Sequence, residues 1–133
     1  MQLRLTYDEI GDYDFGIAHV KKLTPAYIDS TTVSITAELE FFIGLSYKFR
    51  LKFETIIGTD LHLTCDDGLL KIVGMLPSFK EQLQKKADFI EIDNHLIIVR
   101  LSKIKQLDQV LEKIEPERVS FDASGILIDM KLK

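Results

Sequence analysis

A chain of 133 residues, 46% hydrophobic and 29% charged, can bury a real core, which excludes wholesale disorder and fits a single domain spanning 1–133. Its 17 basic and 21 acidic residues leave a net charge of −4 with no long basic stripe, so no nucleic-acid partner is expected. There is no transmembrane-length apolar run, the opening MQLRLTYDEI is unlike a secretory signal, and the lone Cys65 cannot close an internal disulfide; the expectation is a soluble cytoplasmic protein.

MQLRLTY alternates like a strand, DEIGDYD reads as an acidic turn, and FGIAHVKKL suits a strand or a short helix. Pro25 and the run Asp29-Ser30-Thr31-Thr32 mark a loop. The acidic cluster Asp8, Glu9, Asp12 and Asp14 brings a calcium loop to mind. A loop starting at Asp12 would need glycine at its sixth position and glutamate at its twelfth, where this chain has Ile17 and Leu23. A solvated turn is expected instead.

Residues 32–54 carry the strongest pattern. Odd positions from Val33 to Phe53 are all apolar, while the even ones are mostly Thr, Ser, Glu, Lys and Arg. That is period-two alternation with one buried face, and it puts Lys48, Arg50 and Lys52 together on the other. A hairpin is preferred over one long strand bent at Gly44. A three-residue loop Phe42-Ile43-Gly44 keeps the faces in phase and sets Glu38 opposite Lys48. Its cost is an apolar tip, which makes Phe42 and Ile43 a candidate interaction surface.

Asp67-Gly68 reads as the turn of the next hairpin, pairing Cys65 with Leu70 and Leu63 with Ile72. His62 and Cys65, three apart, then point to opposite faces and cannot share a metal. Asp66 and Asp67 disfavour a thiolate at Cys65, which is read as a buried small hydrophobe. A helix follows over 78–87, with Ser78 and Glu81 as a capping box. Two strands then turn at Asn94-His95, pairing Ile90 with Val99 and Ile92 with Ile97. A second helix is expected over 103–114, ended by Glu115-Pro116. The last hairpin turns at Ser124-Gly125, with Phe121 opposite Ile128 and Val119 opposite Met130. Turns near Asp66, Asp93 and Asp122, spaced by 27 and 29 residues, hint at an internal repeat.

The fold expected is α+β, mostly antiparallel hairpins of about 8–10 strands with two short helices packed on or within a curved sheet. His19, His62 and His95 lack ligand spacing, and serine-nucleophile motifs, glycine-rich phosphate loops and paired cysteines are missing, so no catalytic residue, metal or cofactor is assigned. The leading reading is a non-catalytic module that contacts a protein partner or itself through Phe42 and Ile43 or an exposed sheet edge. A second is a carrier of an apolar ligand, in a pocket lined by Phe41, Tyr47, Phe49, Phe53 and Phe79. A third is an enzyme assembled from distant strands around Asp60, His62 and Lys71.

Overall fold

The computed structural model describes residues 1–13, 16–40 and 44–133. Among the described residues nine antiparallel strands form two sheets. Strands β2 (Val20–Asp29), β3 (Thr32–Leu39), β4 (Leu45–Ile57), β5 (Asp60–Cys65), β6 (Ile90–Asp93) and β7 (Leu96–Arg100) make a six-stranded sheet in the order β2-β3-β4-β5-β7-β6. Strands β1 (Gln2–Thr6), β8 (Ile114–Phe121) and β9 (Gly125–Leu132) make a three-stranded sheet in the order β1-β9-β8. Helices α1 (Tyr7–Asp12), α2 (Asp67–Met75), α3 (Phe79–Lys86) and α4 (Asp108–Leu111) complete the fold.

Alternation builds the larger sheet. Along β3, Val33, Ile35, Ala37 and Leu39 are buried, while the residues between them are only half-buried. Leu61, Leu63 and Cys65 on β5 and Phe49 on β4 continue the inner face. Ile72 and Leu69 of α2, Phe79 and Leu83 of α3, and Val119, Phe121 and Met130 of the smaller sheet join them in one apolar cluster. Each such side chain contributes roughly 1.5–3 kcal/mol by leaving water. A backbone link ties the sheets together: the Phe121 N–H at the end of β8 donates to the Ser30 carbonyl in the β2–β3 turn at 2.9 Å.

Several expectations need correction. The segment around Asp67-Gly68 is no hairpin. Asp66, in extended conformation, accepts from the Gly68 N–H at 3.1 Å and caps α2. The apolar residues Leu69, Ile72, Val73 and Leu76 recur at helical spacing, which a period-two reading overlooks. Cys65 therefore pairs with Leu51 rather than Leu70, and Leu63 with Phe53 and Ile97 rather than Ile72. With this turn gone, the repeat loses one of its three members.

The helix expected over 103–114 is broken into two 3₁₀ turns, Leu101–Lys103 and Lys105–Leu107, and the single turn α4. None has a capping side chain, and Lys103 and Lys105 put positive charge near the start, where the helix dipole opposes it. Pro116 lies inside β8 at a bulge on a sheet edge, and Pro25 inside the edge strand β2 rather than in a loop. Edge positions tolerate the missing N–H. DEIGDYD holds most of α1, started by a Thr6–Glu9 capping box.

Both long hairpins slip by two residues. Leu39 faces Leu45, so Glu38 lies opposite Ser46 and Lys48 opposite Thr36. Phe121 faces Ile126 and Val119 faces Ile128, because Asp122 closes the turn by accepting from the Ser124 and Gly125 N–H groups at 2.8 and 2.9 Å. A slip of two preserves which face is buried. Around Asn94-His95 the pairing matches the expectation, Ile90 with Val99 and Ile92 with Ile97. Helix α3 falls inside its expected span, although Ser78 makes no cap and accepts instead from the Gln82 side chain at 3.2 Å.

Candidate interaction surface

The buried residues that β3, β4 and β5 give to the apolar cluster lie on one face of the six-stranded sheet. The other face stays open, and its residues follow from register. Ser34, Thr36 and Glu38 of β3 lie beside Arg50, Lys48 and Ser46 of β4, with Ala26, Thr24 and Lys22 of β2 beyond. On the other side, Thr64 pairs with Lys52 and Leu96, and His62 with Ile98. Even in the central strands β3 and β5 none of these side chains is buried.

Charge on this face is segregated. Lys48, Arg50 and Lys52 are exposed and none of the ion pairs among the described residues involves them. Alternate residues of a strand stand ~7 Å apart, so the three cations form a straight row. Their cross-strand neighbours are short hydroxyl side chains: Thr36, Ser34, and Thr32 with Thr64. At the far end of the sheet Arg100 is already committed, bonded to Asp60 at 2.8 Å and paired with Glu91. Those two carboxylates raise the Arg100 pKa, with the Glu91 hydrogen bond as the leading cause. Arg100 and Glu91 also line an open groove of about 380 Å³ with Gln84, Asp88, Ile90 and Lys103.

The residues singled out from the sequence are scattered. Phe49 and Phe79 are 6% and 2% exposed and belong to the apolar cluster, with Tyr47 and Phe53 packed against it. None of these four lines the groove at Arg100 and Glu91 or the one between Gly11 and Leu23. Phe41, Phe42 and Ile43 lie outside the described residues. Asp60 and His62 share the open face, but Lys71 sits on α2, so the three do not converge as cross-strand neighbours; the expected pairing needed the hairpin that α2 replaces. His95 contacts Asp67 at 2.9 Å, and its carbonyl accepts from the Cys65 N–H at 2.8 Å. Burial, then Asp66, pushes the Cys65 thiol pKa up, away from nucleophilic use. Among the described residues no group of three His, Cys, Asp or Glu side chains is placed to hold a metal, and no helix is long and apolar enough to cross a membrane.

The cation row was visible in the sequence as a strand face. What pairing adds is the floor of hydroxyl residues directly opposite the cations, and no ion pair among the described residues involves them. Comparison with family models, curated proteins and solved structures returned no match.

Proposed function

We propose that this chain is a non-catalytic binding module that contacts another protein, or a second copy of itself, through the open face of its six-stranded sheet. The observation that carries the reading is the uncovered centre of that sheet, where β3 buries one side chain and leaves the next in contact with solvent along its whole length. An antiparallel sheet is stable with one wet face, and a broad polar face, whose row of cations makes no ion pair among the described residues, is well suited to a partner surface.

The edges are poor alternatives. β2 carries Pro25 and a register shift near each end, and β6 is only 4 residues long. β8 carries Pro116 and a bulge. Such features oppose strand addition at three of the four sheet edges, β1 being the exception, and favour the face over the edges of the larger sheet.

A bulky substitution at the centre of the face, Thr36→Trp, tests this. Proteins captured from expressing cells by the wild-type chain should be lost with the variant while its thermal melt stays close to wild type. Capture of the same proteins by both chains would contradict the reading.

A further inference from the structure

Building on the open-face reading, we infer that the row Lys48, Arg50 and Lys52 receives an extended, carboxylate-rich segment of a partner protein lying along β4. Three observations meet there. The cations stand at a repeat of ~7 Å, the spacing at which an extended peptide presents every second side chain on one side. They are exposed and free of ion pairs among the described residues, so their charge is available. Thr36, Ser34, Thr32 and Thr64 flank them in register, so the long cationic side chains stand beside a low, hydroxyl-bearing floor on which a backbone can rest. Arg50, at the centre, offers the planar fork that matches a carboxylate in two parallel hydrogen bonds.

Other polyanions fit less well. A row of three cations is shorter than the 6–10 phosphate contacts typical of a DNA-binding protein, and shorter than the roughly 4–8 clustered basic residues that hold an anionic membrane. Glu38 lies next to the row across β3, and Glu54 follows it along β4, where it accepts from the Thr64 hydroxyl at 2.9 Å. Both would repel a continuous phosphate backbone. A short peptide with three carboxylates on alternate residues spans ~14 Å and meets only the row.

Fluorescence anisotropy of the whole chain with a labelled Glu-Thr-Glu-Thr-Glu pentapeptide tests the assignment. Saturable binding at low salt is expected, weakening as salt is raised. Lys48→Glu, Arg50→Glu and Lys52→Glu combined should weaken it by roughly tenfold or more. Should the triple variant fail to fold, Arg50→Gln alone should still weaken it several-fold. A peptide with Gln in place of Glu should stay unbound. Absence of saturable binding to wild type, or binding that survives both variants, would overturn the assignment. So would binding at this row by single-stranded RNA or phosphatidylserine vesicles while the acidic peptide stays silent. If the peptide fails but Thr36→Trp still abolishes protein capture, the partner's chemistry is wrong and the open face stands. Failure of both removes the face itself.

Discussion

Gly68 shows how a single residue carries two incompatible messages. Next to Asp67 it resembles a hairpin turn, a position chosen for positive φ. In the fold it lies in the first turn of α2, and a Cβ there would fall 2.3 Å from the Lys48 carbonyl oxygen. Glycine is required because α2 starts hard against β4, and no local pattern reveals that. Gly68→Ala should therefore destabilise the chain by about 1–3 kcal/mol, the usual cost of overpacking, in urea unfolding. An exposed helical Gly→Ala would instead stabilise. Asp122 is more legible, since Asp and Ser before a glycine are turn residues. Hydrogen bonds, first from the Ser124 N–H, lower its pKa from 3.8 to about 2. A pKa lower in the folded than in the unfolded state means the carboxylate stabilises the fold above pH 4 and loses that effect as pH falls through about 2. Asp122→Asn should lower the urea midpoint at neutral pH, and the gap from wild type should close across that acid window. A gap independent of pH would contradict the assignment.

Among the elements, those with one strong period were readable and those with two competing periods were not. β3 and β4 alternate cleanly, and α3 has a compact helical stripe. Residues 63–76 contain an alternating strand that runs directly into a helical repeat, and only the Asp66 cap divides them. Register was the other failure. The alternation specifies the buried face but leaves slips of two residues open, and both long hairpins took one. The candidate surface was legible in part for the same reason: the cations on one face of β4 followed from parity, while their hydroxyl neighbours depended on register. Parity gives a sharp test on this one strand. Phe49→Ala should cost about 3–5 kcal/mol by leaving a cavity, whereas Arg50→Ala, one residue on and facing solvent, should stay within about 0.5 kcal/mol. Equal losses in urea titrations would mean the faces of β4 are wrongly assigned.

At the level of the whole molecule, the two sheets and α2 and α3 spend their apolar side chains on one core. No sequence pattern announces this, because period-two alternation looks alike whether the polar face meets solvent or a partner. The arrangement leaves a broad polar face uncovered, with charge concentrated on β4. The most direct test is site-specific photo-cross-linking in expressing cells, with a photoreactive phenylalanine at position 36 in the centre of the open face or at position 80, an exposed site on α3. A discrete protein adduct from position 36 and none from position 80 is the predicted result. Adducts from position 80 alone, or equally from both, would contradict the claim that this face is where the chain binds.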